Sequence, residues 1–100
     1  MDLGLTGKVA AITGGSEGIG LATAQRLGEE GARVAICARR ADTLRDAAEA
    51  VRAATGAEVL SVVADVAKPG DPERFVGETL GRFGRIDVLV NNAGINRDKP

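Results

Sequence analysis

The chain has no histidine, no tyrosine and no tryptophan, one cysteine and two phenylalanines. Each absence removes a chemistry. Without His or Tyr there is no imidazole base and no phenolic acid, and a lone Cys37 without histidine leaves no His/Cys metal site. One cysteine also excludes an intramolecular disulfide framework and fits a reducing cytoplasm. No apolar run approaches the roughly 18 residues that a membrane span needs, and the opening MDLGLTGK lacks the apolar stretch of a signal peptide. With 13 Lys+Arg against 14 Asp+Glu and a net charge of −1, nothing draws the chain globally to nucleic acid or to an anionic membrane. Backbone, arginines, carboxylates and amides are left to do the chemistry.

What is present suits a small folded domain. Hydrophobic residues make up 44% of the 100 and charged residues 27%, which excludes disorder as the main state. A compact chain of this mass buries roughly 64% of the surface it exposes unfolded, enough for a real core. Four short apolar runs rich in β-branched residues recur: Val9–Ile12, Val34–Cys37, Val59–Ala64 and Ile86–Val90. None alternates cleanly between apolar and polar, as expected of strands covered on both faces in a parallel sheet. Their spacing leaves room for one helix between each pair, a β-α-β-α-β-α-β pattern.

The intervening helices have readable faces and ends. The first spans about 18–30, with Ile19, Ala22 and Leu27 expected against the sheet and Gly28 as an interior glycine that costs about 1 kcal/mol relative to Ala. In the second, Leu44, Ala47, Ala48, Val51 and Ala54 form one apolar stripe, with Asp42 expected as N-cap and Gly56 as a left-handed stop. The third is expected to open with Asp71 as N-cap and Pro72 at the first helical position, to bury Val76, Leu80 and Phe83, and to end before Gly84. Seventeen alanines make thin side chains that let helices lie close on a sheet, which suits a layered α/β sandwich.

The most informative segment is Thr13-Gly14-Gly15-Ser16-Glu17-Gly18-Ile19-Gly20, between the first strand and the first helix. Glycines there let backbone pass close to a bulky anion, and the free N–H groups of a helix start can receive a diphosphate. The spacing is G-x-x-x-G-x-G, and no lysine stands at a P-loop position, so a nucleotide-triphosphatase site is excluded. A plain tight turn is the bland alternative, weakened by the position between strand and helix.

Three segments together carry a resemblance: Thr13-Gly14-x-x-x-Gly18-Ile19-Gly20, Asp65-Val66 after the third strand, and Asn91-Asn92-Ala93-Gly94 after the fourth. In order and spacing they resemble the short-chain dehydrogenase/reductase family, over about 5–94. The resemblance implies a Rossmann-type doubly wound parallel sheet of strand order 3-2-1-4. It implies that the loop Gly14, Ser16, Glu17, Gly18, Ile19 and Gly20 wraps a cofactor diphosphate, with Ile19 making a backbone contact near the nicotinamide side. By the same resemblance Asp65 binds the adenine amino group, Val66 lies against the ring, Asn91 supports the sheet and the adenosine ribose, and Ala93 and Gly94 let the backbone approach the cofactor. All of these fall at or just beyond strand carboxyl ends, where open α/β sheets bind ligands. Asp65 could instead cap a loop, and Asn91-Asn92 could be a turn.

Cofactor choice turns on the end of the second strand. An NAD site places an acid about 20 residues after the glycine motif, whereas an NADP site substitutes a nearby arginine. Ala38 stands there, followed by Arg39-Arg40, so NADP(H) is favoured over NAD(H), with Arg39 the main 2′-phosphate ligand and Arg40 its helper. Two solvated arginines at a helix start are the alternative. Glu17 points the other way, since many NADP-using relatives are basic there; it could instead pair with Arg39 or Arg40 when the site is empty. Cys37 is expected to be a small buried strand residue, and Asp87 a residue at the start of its strand with no catalytic part.

The family transfers hydride with a Ser, an Asn and a Tyr-x-x-x-Lys pair, the lysine lowering the tyrosine pKa. None of the 100 residues is a tyrosine. Two expectations follow. In the favoured one, residues 1–100 are a single dinucleotide-binding domain, the N-terminal part of a longer alcohol/ketone oxidoreductase, because Pro100 ends no element. In the other, the chain is a complete, non-catalytic dinucleotide-binding module. Gly7-Lys8-Val9-Ala10 and 93–98 resemble bacterial 3-oxoacyl-carrier-protein reductases. The resemblance also implies a small-molecule substrate and a homo-oligomer, dimer or tetramer.

Overall fold

The computed structural model describes residues 4–92. Seven elements follow in order: β1 (Val9–Thr13), α1 (Gly18–Glu29), β2 (Arg33–Ala38), α2 (Ala41–Thr55), β3 (Val59–Val63), α3 (Asp71–Phe83) and β4 (Val88–Asn91). The four strands form one parallel sheet of order β3-β2-β1-β4, the Rossmann-type arrangement expected from the sequence. In register, Ala10 lies between Val34 of β2 and Val88 of β4, and Thr13 between Cys37 and Asn91. No helix among the described residues is long and apolar enough to cross a membrane.

The two faces of β1 explain its unbroken apolar run. Ala10 and Ile12 pack with Val34, Ile36, Ala24, Leu44, Ala47, Ala48 and Val51 under α1 and α2. Val9 and Ala11 face the opposite way, with Ala35, Cys37, Val62, Phe75 and Phe83 under α3. All five residues of β1 are buried, as a central parallel strand requires. The outer strand β4 is covered less. Val88 and Val90 reach the first core, but α3 packs over β3, β2 and β1 and stops short of β4, leaving Leu89 59% exposed.

Three helix faces differ from expectation. On α1 the buried residues are Gly20, Ala24 and Gly28, while Ile19 and Ala22 are exposed and Leu27 is half-buried. The smallest residues face inward because the helix backbone approaches the sheet and α2 too closely for larger ones. On α3 the inward stripe is Phe75, Thr79 and Phe83; Leu80 is exposed and Val76 half-buried. The two rings turn inward because they remove the most apolar area from water, and the fully buried Thr79 between them has its hydroxyl satisfied by the Phe75 carbonyl at 2.8 Å. On α2, Leu44, Ala47, Ala48 and Val51 are buried as expected, whereas Ala54 is exposed and the half-buried Thr55 continues the inward line beside Gly28 of α1.

The expected N-caps also shift by one or two residues. Arg40 precedes α2, and the Asp42 carboxylate accepts the Thr43 N–H at 2.8 Å inside the first turn. Gly70 precedes α3, with Asp71 and Pro72 already helical. Asp71 reaches back to the loop instead of capping its own helix. Both helices stop as expected at left-handed glycines, Gly56 (φ 75°) and Gly84 (φ 81°).

Gly28 now has a physical reason. A Cβ there would lie 2.9 Å from Thr55 Oγ1 and 3.3 Å from the Ala57 Cβ, where α1 crosses the end of α2. Thr55 cannot easily yield, since its hydroxyl donates to Val51 O at 2.7 Å and accepts the Ala57 N–H at 3.1 Å. Alanine would gain about 1 kcal/mol of helix propensity but incur about 1–3 kcal/mol of overpacking. Gly28→Ala is therefore expected to lower the urea midpoint, a net loss of about 1 kcal/mol; an unchanged or raised midpoint would show that α1 and α2 have room to part.

Candidate functional site

Because all four strands run the same way, their carboxyl ends share one edge, and the loops leaving that edge are brought together. The loop at 14–17 leaves β1, Arg39 and Arg40 leave β2, Asp65 and Val66 leave β3, and Asn92 follows β4. The structure thus gathers Gly14, Ser16, Glu17, Gly18, Ile19, Gly20, Arg39, Arg40, Asp65, Val66 and Asn91 on one edge of the sheet. The expected contacts at Ala93 and Gly94 lie outside the described residues.

The glycine-rich turn is fixed from both sides. The N–H groups of Gly14 and Gly15 both donate to the Cys37 carbonyl, at 3.0 and 3.2 Å, tying the loop to the end of β2. Gly14 and Gly18 adopt left-handed φ of 68° and 59°, which side chains resist. A Cβ on Gly20 would overlap the Gly14 carbonyl and lie 2.9 Å from Asn92 Nδ2. Glycine at this position lets the first turn of α1 fold back onto the loop it emerges from. The result is a helix start whose Gly18, Ile19 and Gly20 N–H groups have no intrahelical partner. No acidic residue lies in that first turn, and Glu17 at the N-cap makes no side-chain capping bond. Such a cradle fits a diphosphate, held by backbone donors and the positive end of the helix dipole. Ile19 beside it is 73% exposed, so its side chain is free to meet a ligand.

Two residues that the sequence did not single out as site residues hold the far side of the turn. The Thr13 hydroxyl donates to Asn91 Oδ1 at 3.0 Å and accepts the Asn92 N–H at 2.9 Å. Asn92 Nδ2 reaches the Gly14 carbonyl at 3.4 Å. These bonds join the ends of β1 and β4 across nearly 80 residues of chain. The one sequence sign was a hydroxyl residue immediately before the glycines and a doubled asparagine at the end of the fourth apolar run.

Arg39 and Arg40 are exposed, and neither forms an ion pair among the described residues. A pairing of Glu17 with either of them is absent, and Glu17 is itself exposed. At the end of β3, Asp65 and Val66 are half-buried. Asp65 does cap its loop, accepting the Ala67 N–H at 2.9 Å through Oδ1, which leaves its second carboxylate oxygen for another donor. Cys37, beneath the turn, is buried, and burial pushes its thiol pKa up despite the Gly14 N–H. It is therefore a packing residue, as expected.

A glycine-rich strand-turn-helix at the carboxyl edge of a 3-2-1-4 parallel sheet defines a Rossmann-type nucleotide-binding fold. Comparison with known proteins narrows the class. A family model described as short chain dehydrogenase matches residues 8–100, and the chain belongs to that family. It is 46% identical over 94 residues to a 3-oxoacyl-[acyl-carrier-protein] reductase of Synechocystis sp., covering 94% of this chain and 38% of that protein. Among solved structures, it is similar to the L-sorbose reductase of Gluconobacter frateurii complexed with NADPH and L-sorbose, with a TM-score of 0.92 and 44% identity over 100% of this chain and 38% of the other. An NAD+-bound xylitol dehydrogenase superposes with a TM-score of 0.87 and 40% identity, over 92% of this chain and 35% of that one. The chain thus spans less than two-fifths of the length of each of these relatives.

The opposite edge of the sheet carries an ionic lock of another kind. Asp87, just before β4, accepts the Val9 N–H through Oδ2 at 2.9 Å, and its own N–H donates to the Val9 carbonyl at 2.8 Å. Arg85 grips the same carboxylate through two bonds, at 2.9 and 2.8 Å. Asp87 is thus a residue of the strand start, far from the glycine turn. The Arg85 hydrogen bonds, followed by the Val9 N–H, hold its carboxyl pKa below the usual range. A depressed carboxylate pKa contributes stability that is present above the unfolded value, about 3.9, and is lost as pH falls through the lower folded value. Asp87→Asn, which cannot titrate, is expected to lose less stability than the parent between pH 7 and pH 2 in urea melts. Equal losses would mean that the Arg85–Asp87 pair contributes nothing to the acid limb.

Proposed function

We propose that the chain forms the cofactor-binding part of an NADP(H)-dependent short-chain dehydrogenase/reductase that interconverts an alcohol and a ketone or aldehyde. The observation that carries the cofactor choice is the pair of exposed cations Arg39 and Arg40 at the carboxyl end of β2, neither in an ion pair among the described residues. No carboxylate stands at Ala38, where an NAD site would use one for the ribose 2′-hydroxyl. Guanidinium groups there can grip a 2′-phosphate by charge-assisted, two-point hydrogen bonds. Family membership alone leaves both cofactors open, since one similar structure holds NADPH and another NAD+.

In this reading the N–H groups of Gly18, Ile19 and Gly20 bind the diphosphate, with Gly14 and Ser16 shaping the loop. The free oxygen of Asp65 accepts from the adenine amino group and Val66 covers the ring. Asn91 stands beside the ribose, Ala93 and Gly94 give the backbone room, and the Ile19 backbone makes a contact near the nicotinamide side. The nicotinamide supplies or accepts the hydride. The residues described here orient it and exclude water from one side; they offer no phenolic acid, and proton transfer to the small-molecule substrate belongs to the family's Ser, Tyr and Lys. Glu17 beside the phosphates opposes anion binding and so tempers affinity without supplying a specific contact. We further infer a cytoplasmic, homo-oligomeric protein with no nucleic-acid or membrane partner.

Calorimetric titration with both cofactors checks the reading. Arg39→Ala is expected to weaken NADPH binding by about 1.5–3 kcal/mol, the size of a hydrogen bond to a charged group, and to leave NADH nearly unchanged. Equal losses for the two would remove the 2′-phosphate assignment.

A further inference from the structure

β3 is the outer strand on the side opposite β4 and, among the described residues, is hydrogen-bonded to β2 alone. The Ala64 N–H donates to the Ala38 carbonyl at 3.0 Å, so alternation along the strand turns the backbone groups of Val63 and Asp65 toward the open side. On an open edge such groups ordinarily go to water. Here the first turn of α3 takes one group from each residue. The Asp65 N–H donates to Asp71 Oδ2 at 2.8 Å, and Arg74 Nη2 donates to the Val63 carbonyl at 2.7 Å. The two side chains approach each other at 3.7 Å, and Arg74 Nη1 is steadied by Glu78 at 3.1 Å. Two side chains one turn apart thus replace the missing neighbour strand at the point where β3 enters the loop carrying Asp65 and Val66.

The consequence is a restrained carboxylate. Asp65 is fixed at its N–H by Asp71, at its carbonyl by the Lys68 N–H at 2.9 Å, and at Oδ1 by the Ala67 N–H. Only Oδ2 is left to face a ligand. We propose that Asp71 and Arg74 are positioning residues for the adenine end of the nucleotide: by holding the backbone of 63–65 against α3 they aim the Asp65 carboxylate at the adenine amino group. This inference rests on the proposed cofactor site and adds to it two residues that touch no part of the cofactor. A carboxylate already held in place loses less freedom on binding, so its hydrogen bond contributes more fully to affinity.

A residue that merely stabilised α3 would weaken every nucleotide alike, whereas a positioning residue changes the preference for the amino group. The test compares dissociation constants of the protein for NADP+ and for its hypoxanthine analogue, in which a carbonyl oxygen replaces that amino group. The parent is expected to favour adenine by about tenfold, as a hydrogen bond to a charged acceptor provides. In Asp71→Ala that preference falls by about fivefold, and in Arg74→Met by about threefold, whereas Asp71→Asn, which keeps an acceptor oxygen in place, retains most of it. A reduced preference in either loss variant supports the inference. An undiminished preference in every loss variant that folds overturns it and leaves the cofactor site standing. A parent that does not distinguish the two analogues lacks the Asp65–adenine contact, and then the site assignment fails together with the inference.

Discussion

The structure depends on one close approach. The backbone of Gly20, at the start of α1, packs against the Gly14 carbonyl with no space for a Cβ between them. That contact turns the chain from strand to helix within four residues and points the free N–H groups of the helix start out of the carboxyl edge of the sheet. It also constrains the rest of α1. With Gly20 inward, Ala24 and Gly28 must follow at one-turn intervals, so the helix meets the sheet and α2 through its smallest residues. Close packing at Thr55 and the exposure of Ile19 are both consequences.

Around this approach the hydrogen bonds divide by edge. At the carboxyl edge, Thr13, Asn91, Asn92 and the Cys37 carbonyl tie the turn to β4 and β2. At the opposite edge, Asp87 and Arg85 lock the start of β4 to β1. Along the edge strand β3, Asp71 and Arg74 take the place of a neighbour. Polar groups thus align the strands, while alanine, valine and isoleucine fill the layers between them. Because the carboxyl edge has its own network, its loops can present backbone donors and exposed cations without loosening the sheet.

Much of this was legible in the sequence. Strands buried on both faces leave continuous apolar runs, and glycine placed after a helix marks its end, so the seven elements could be read directly, whereas the strand order came with the family resemblance. The glycine cluster, Asp65-Val66 and the doubled asparagine were visible as a family resemblance. Inward helix faces were less legible, because large apolar residues draw attention: Ile19 and Leu80 read as core, yet Gly20 and Thr79 occupy it. Thr79 is polar by composition but satisfied within its own helix. The acidic residues Asp42 and Asp71 read as caps by position, whereas their carboxylates serve Thr43 and Asp65. Contacts such as Thr13 to Asn92 and Arg74 to Val63 depend on how the chain folds back, which no local pattern encodes.

The most direct measurement is a calorimetric titration of NADPH into Gly20→Ala beside the parent, with a thermal melt of each. If the Gly20–Gly14 approach builds the diphosphate cradle, the added methyl group displaces the loop and NADPH affinity falls by about tenfold or more while the melt stays cooperative. Undiminished affinity in a folded Gly20→Ala protein would contradict the assignment of this turn as the seat of the cofactor.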